Sequence, residues 1–218
     1  MPALRGLDTP SELTRHAAGL RAQGFDFVVR YYSHNAASNL SLGEARALSA
    51  AGLLLGVVWE GAGTHAGFFN RAQGVADGAA AFRAARLAIG QPAGSAIYFP
   101  VGYDATDADI EGPVSDYFSG VKMAFAAAAD GLSPYGVGVL GSGLCCDTLI
   151  DKHLATLGWL SQPSGFAGSK AYAESARYNM IQRLPARASV GDGSEELSFG
   201  PDWTNPGRPH GLFRLTSF

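Results

Sequence analysis

The feature that most constrains this chain is a repeated change of period. Short apolar, β-branched runs alternate with helix-patterned segments almost without interruption. FDFVVRYY (25–32), LLLGVVWE (53–60), SAIYFPVGYD (95–104) and YGVGVLGS (135–142) read as buried strands. A short strand over 4–8 precedes them, and TLGWLSQ (156–162), RYNMIQRL (177–184) and ELSF (196–199) supply three more. TPSE opens the first helix, with Thr9 as N-cap, Pro10 in the first turn and Glu12 three residues after the cap. SLGEARALSAAG (41–52) reads as a helix capped by Ser41 and stopped by Gly52. Residues 68–90 hold a long Ala-rich helix, and 143–153 a short one. Over 107–130, Val114, Phe118, Val121 and Phe125 recur at helical spacing.

Eight strands, most followed by a helix, predict an α/β fold: a compact (β/α)8 TIM-type barrel over 1–218, with reduced helices in its C-terminal part. Right-handed crossovers would make each strand parallel to the last. The alternative is an open doubly wound sheet. The first strand, however, runs into GLDTPSE and not into a phosphate-binding GxGxxG turn.

With 47% hydrophobic and 16% charged residues, a packed globular protein is expected. A net charge of −3 and the lack of any Lys/Arg cluster argue against a nucleic-acid partner. No apolar run approaches the roughly 18 residues of a membrane span. The N-terminus, MPALRGLDTP, contains no apolar segment of signal-peptide length. That fits a cytosolic or phage-encoded product, or a secreted one whose leader has been removed. Cys145 and Cys146 are neighbours, a spacing that strains a disulfide, and they read as two reduced thiols. No His or Cys stands at metal-ligand spacing near them, so no metal and no cofactor is expected.

In a (β/α)8 barrel the functional face lies at the C-terminal ends of the strands. Those ends gather Asp8, then Arg30, Tyr31 and Tyr32, Trp59 and Glu60, Tyr103 and Asp104, Ser142, Trp159 and Gln162, and Gln182 and Arg183, with Asp202 and Trp203 in a loop after the last strand. Carboxylates among aromatics and amides suit carbohydrate, whose ring faces stack on Trp and Tyr while its hydroxyls seek carboxylate and amide partners. Glycosidic cleavage needs a carboxylic acid to protonate the leaving oxygen and usually a second carboxylate. Asp104, Asp8 and Glu60 are the catalytic candidates. An aromatic-lined mouth could raise the pKa of Glu60 or Asp104 enough for the acid role. Each has a structural alternative: Asp8 as a helix cap, Arg30 as an anchor for a carboxylate. Asp107 reads as the cap of the helix that follows, and Asp107 and Asp109 as partners of its dipole.

GLD at the first strand, FVVRYYS at the second, EARALSAAGL before the third, then IYFPVGYDAT and YGVGVLGS, together resemble the glycoside-hydrolase-like domains of actinobacterial and phage proteins, relatives of the family 25 lysozymes. The resemblance is clearest from Gly6 to Ser142. It implies a short (β/α)8 barrel that acts on peptidoglycan-type glycan, with acids on the first, fourth and often later strands. Asp8 matches the first of these. Where relatives read VDxD or VDxE in the fourth strand, this chain reads Val101-Gly102-Tyr103-Asp104, so one acid is replaced by Gly102. Glu196 and Asp202 both compete for the later position. The family is also thought to use the substrate's own N-acetyl group as nucleophile. Asp104 as general acid, with Asp8 or Glu60 positioning that group, is then the expected minimal machinery. A barrel that holds cell-wall glycan without cutting it, within a phage particle or another larger assembly, is the second expectation. A purely structural component is the third.

Overall fold

The computed structural model describes residues 2–35, 38–162, 164–189 and 196–216. Seven strands run parallel and neighbour one another in chain order: β1 (Arg5–Asp8), β2 (Phe27–Ser33), β3 (Leu54–Glu60), β4 (Ala96–Pro100), β5 (Gly136–Gly141), β6 (Leu157–Leu160) and β7 (Met180–Gln182). Two further strands follow. β8 (Ala186–Ser189) pairs antiparallel with the first half of β9 (Glu196–Thr204), and the second half of β9 lies antiparallel between β7 and β1. The ring is thereby closed as an eight-stranded TIM-type barrel.

The eighth stave differs from expectation in direction and in length. It runs against the other seven and continues through PDWT, a segment expected to be a loop. β8 was not expected at all. Among the described residues no helix separates β7, β8 and β9, and none forms a crossover that would enforce a parallel strand there.

The outer layer comprises α1 (Ala17–Ala22), α2 (Leu42–Ala50), α3 (Arg71–Arg83, continuing as a π-helical turn to Ile89), α4 (Asp107–Asp109), α5 (Ser115–Ala128), α6 (Gly143–Asp151) and α7 (Ser169–Ser175). Ser41 caps α2 by accepting the Glu44 N–H at 3.1 Å, and Gly52 ends that segment at a φ of 88°. Two expected caps are displaced. Thr106, not Asp107, caps α4: its hydroxyl accepts the Asp109 N–H, and the Asp109 carboxylate accepts the Thr106 N–H. Thr9 opens no helix. It is fully buried, and its hydroxyl donates to Ser198 O at 2.9 Å, so it stitches the end of β1 to β9.

Alternation along the strands sorts side chains into two cores. Leu7, Val28, Leu55, Ile97 and Val139 face outward beneath the helices. Phe27, Val29, Val58, Tyr98, Trp159 and Met180 fill the lumen, where Tyr98 and Trp159 meet edge to face at 5.6 Å. Phe27 and Tyr98 fit because a neighbouring stave presents a glycine opposite each, Gly6 and Gly138. A Cβ on Gly6 would overlap the Phe27 ring, and one on Gly138 would overlap the Tyr98 ring. Gly138→Ala is therefore expected to lower stability by about 1–3 kcal/mol in urea denaturation, as overpacking of a filled core does. Gly165→Ala, where nothing lies within 4 Å of the added carbon, should stay within about 0.5 kcal/mol of the parent.

Candidate functional site

Five adjacent staves bring one polar chain into the otherwise apolar lumen. On β1, Gly6 and Asp8 share the inward face. On β2, Tyr31 follows Phe27 and Val29 on that face. The antiparallel register sets Gly200 of β9 opposite Asp8, and Asp202 opposite both Gly6 and Gln182. Asp8 accepts two hydrogen bonds, from the Gln182 amide at 2.7 Å and from the Tyr31 hydroxyl at 3.3 Å. Asp202 accepts the Trp159 indole N–H at 3.1 Å. The chain therefore runs from Tyr31 through Asp8 to Gln182, with Asp202 and Trp159 beneath.

The Asp8 and Asp202 carboxyls also lie close enough to interact. Asp202 is fully buried, and burial followed by the charge of Asp8 pushes its carboxyl well above the usual range. Among the described residues no donor faces its Oδ2. A proton on Asp202 satisfies that atom, with Asp8 as the acceptor. Asp8 is 8% exposed. Burial raises its pKa, while the hydrogen bonds from Gln182, Tyr31 and Asp202 pull it back. Burial and mutual repulsion thus favour the neutral form of Asp202 and leave the charge of the pair on Asp8, the partner nearer to solvent. Burial, with the charge of Asp8 next, raises the Tyr31 phenol far from ionisation and keeps it a donor; the charge of Glu60 reaches the same phenol. Glu60 ends β3 on the inward face, two residues beyond Val58, and is exposed.

Gly200 is what permits this packing. A Cβ there would overlap Asp8 Oδ2 and stand 2.8 Å from Gln182 Nε2.

Of the residues expected at the site, Asp8, Gln182, Asp202 and Trp159 converge, and Glu60 stands at the rim. The others lie elsewhere. Arg30 points into the outer layer, 1% exposed, and pairs with the buried Glu44 at 2.7 Å while also donating to Thr9 O. This is the carboxylate-anchoring alternative. Tyr32 is buried and donates to Gln91 at 3.0 Å. Trp59 is buried in the outer layer, with the His34 ring edge-on at 4.9 Å. Trp203 sits in β9 and faces the outer core, not a loop. Tyr103 is half-buried and packs toward Phe69 at 6.1 Å; burial and the nearby Asp109 push its pKa up to about 12. β4 stops at Pro100, so Asp104 lies beyond the strand. Its exposed carboxylate accepts the Ala167 N–H at 2.7 Å and thereby ties down the segment after β6. Gly102 donates its N–H to Gly63 O. Gln162 is half-buried at the top of β6.

Gly200 was not singled out from sequence, and Tyr31, though read at the end of the second strand, was not ranked among the substrate-binding candidates as Arg30 and Tyr32 were. The signal for Tyr31 was present: in FVVRYYS, counting by two from Phe27 reaches Tyr31 and skips both Arg30 and Tyr32. Among the described residues, no group of three His, Cys, Asp or Glu side chains is placed to hold a metal ion.

A proton held by the fold on Asp202 has a definite sign. The folded pKa lies above the unfolded value near 3.8, so its contribution to stability is complete below about pH 4 and is lost as the pH rises toward the folded pKa. Asp202→Asn reproduces the neutral form. The stability of the variant relative to the parent should climb with pH above 4, by on the order of 1 kcal/mol per pH unit at most. Urea titrations at pH 4 and 8 would show this, and parallel pH profiles would disprove the shared proton.

Comparison with known proteins agrees with this architecture. A family model described as Rv2525c-like, glycoside hydrolase-like domain matches residues 18–208. The uncharacterised protein YbfG of Bacillus subtilis is 28% identical over 206 residues, covering 89% of this chain but only 28% of its own length. The Tat-secreted protein Rv2525c of Mycobacterium tuberculosis, crystallised with L-tartrate, superposes with a TM-score of 0.68 at 18% identity, covering 96% of this chain and 98% of that one. The catalytic domain of endolysin ply40, from bacteriophage P40 of Listeria monocytogenes, gives 0.53 at 12% identity over 94% of each chain. At these identities the structural matches speak for the fold.

Proposed function

The chain belongs to the Rv2525c-like, glycoside hydrolase-like domain family, and on that premise we propose that it cleaves amino-sugar glycan of the bacterial cell-wall type at the Asp8 end of the lumen. One observation carries this reading: a carboxylate that reaches solvent at the barrel mouth, fixed by Tyr31 and Gln182, with its charge kept single by the protonated Asp202. Such a group is pre-organised to stabilise positive charge as it develops at an anomeric carbon, or to orient an acetamido group acting there. In water the same carboxylate would be screened and free to rotate. Here the Tyr31 hydroxyl and the Gln182 amide fix its orientation before substrate arrives.

Glu60 is the proposed proton donor. It is an inward-facing acid of the rim whose charge reaches Tyr31, after that of Asp8 itself, and it stands two staves from Asp8. Asp104, the acid first expected in that role, already uses its carboxylate on Ala167. Asp8→Asn and Glu60→Gln should each cut the release of reducing sugars from purified cell walls by at least about a hundredfold, in the range typical of lost acid–base or electrostatic groups. Asp104→Asn should retain activity within a few fold. Loss of activity in Asp104→Asn together with full activity in Asp8→Asn would overturn the assignment.

A second reading, a barrel that binds wall glycan without cutting it as part of a phage particle or other assembly, is favoured by one feature. Just past the end of the fourth stave, Gly102 stands where the family resemblance implies a carboxylate, and its N–H is engaged with Gly63 O. Retention on insoluble walls with no reducing-sugar release from the parent protein would select it.

A further inference from the structure

Three arginines from separate segments meet around a hollow of about 460 Å³ in the outer layer, between α2 and the π-helical end of α3. It shares no lining residue with the Asp8 cluster. Arg46 comes from α2, Arg86 from the π-helical turn and Arg214 from the C-terminal segment, and all three are exposed. Arg214 is held in place: its Nη2 donates to Gly52 O at 2.6 Å, and the N–H of the next residue, Leu215, donates to Ser49 Oγ. That contact uses one of the five donors of the guanidinium. Arg46 and Arg86 form no hydrogen bond and no ion pair among the described residues.

No carboxylate balances them. None of the residues lining the hollow is Asp or Glu. The sequence holds no acid between Asp77 and Asp104, and none after Asp202. Asp77 is buried and accepts the Tyr117 hydroxyl, while Glu44, the one acid of α2, is buried against Arg30. Arg86 has a structural reason for its place, since a cation in the last turn of a helix complements the negative end of the dipole. Arg46 has none. It stands inside α2, where the positions three and four residues away hold Gly43, Ser49, Leu42 and Ala50, so no acid supports it along the helix. The remaining lining is apolar. Leu87, 76% exposed, and Leu42, 37% exposed, flank the arginines, and the buried Ile89 and Leu215 lie among them.

Three unbalanced cations gathered on a chain whose net charge is −3 call for an anion from outside. We propose that this hollow binds a ligand carrying two or more phosphoryl groups. A guanidinium presents paired N–H donors that match two phosphoryl oxygens. Guanidiniums on three separate segments, spread around a space much larger than one small ion, suit neighbouring phosphoryl groups better than a single one. Such groups occur on soluble compounds and on the headgroups of anionic lipids, and both offer arginine the same chemistry. Leu87 separates the two sources, because its exposed side chain gains from burial in a bilayer and a soluble anion does not need it. The site is independent of the glycan reading of the mouth.

The test pairs isothermal titration of the intact chain with inorganic pyrophosphate and co-sedimentation with vesicles of phosphatidylglycerol or of phosphatidylcholine. Pyrophosphate should bind with a dissociation constant below about 1 mM, and more weakly as ionic strength rises from about 0.05 to 0.5 M. Arg46→Gln combined with Arg86→Gln should weaken binding at least about tenfold, through the loss of charge-assisted contacts. Arg83→Gln, which removes an exposed arginine of α3 outside the hollow, should leave affinity unchanged. An unaltered melting temperature would verify the fold of each variant; Arg46→Gln alone, with a loss of about threefold, serves if the pair fails to fold. Vesicle binding that requires phosphatidylglycerol and is lost in both the double variant and Leu87→Gln would identify a lipid headgroup. Pyrophosphate binding without vesicle binding would identify a soluble ligand. No binding to either, binding that survives in the double variant, or an equal loss in Arg83→Gln would overturn the assignment.

Discussion

Everything at the mouth depends on the placement of one strand. The second half of β9 pairs on one side with β7 and on the other with β1, and no other described element joins the two ends of the seven-stranded parallel sheet. Because it enters antiparallel, β9 carries its side chains into the lumen in descending order: Gly200 meets Asp8, and Asp202 lies one inward step lower. A parallel eighth strand would have delivered a polar residue at its C-terminal end, level with the other rim groups. The antiparallel one places a carboxyl underneath, where water does not reach. The buried acid, the shared proton and the fixed orientation of Asp8 all follow from that direction.

Burial then divides the polar residues into two trades. Arg30 and Glu44 neutralise each other between barrel and helices, with Thr9 O and the Leu13 N–H completing their shells. A pair closed in this way holds the layers in register and has nothing left to offer a ligand. The Asp8 cluster is incomplete by comparison: it keeps one net charge and one edge toward solvent. That difference, more than residue type, separates a scaffold ion pair from a reactive group.

Much of the architecture was legible in the chain because β-branched runs and helical spacing are local signals. The parallel staves β1 to β7 fall within the runs that announced them, and Ser41 and Gly52 bound α2 as their chemistry dictates. The site was less legible, for two physical reasons. Naming strand-end residues without counting by two mixes the faces, so Arg30, Tyr32 and Trp59 were ranked as ligand contacts although they point outward, and Tyr31, beside them, was not. Proline is disfavoured inside a strand because it lacks an N–H, so nothing local marks PDWT as one. In the fold Pro201 pairs opposite Leu7, and its carbonyl accepts the Arg183 N–H, so the strand runs through it. The pairing of Asp202 with Asp8 joins positions 194 residues apart, and no local pattern encodes it.

That separation also bears on how the molecule is made. As the chain leaves the ribosome, β1 through β7 can associate progressively, each next to its predecessor, yet the sheet keeps two raw edges until residues 196–204 emerge. Unpaired edges of this kind recruit neighbours and promote aggregation. Ring closure is the slow, long-range event expected of high contact order. The same late strand that completes the carboxyl pair thus sets the interval during which the nascent polypeptide most needs a chaperone.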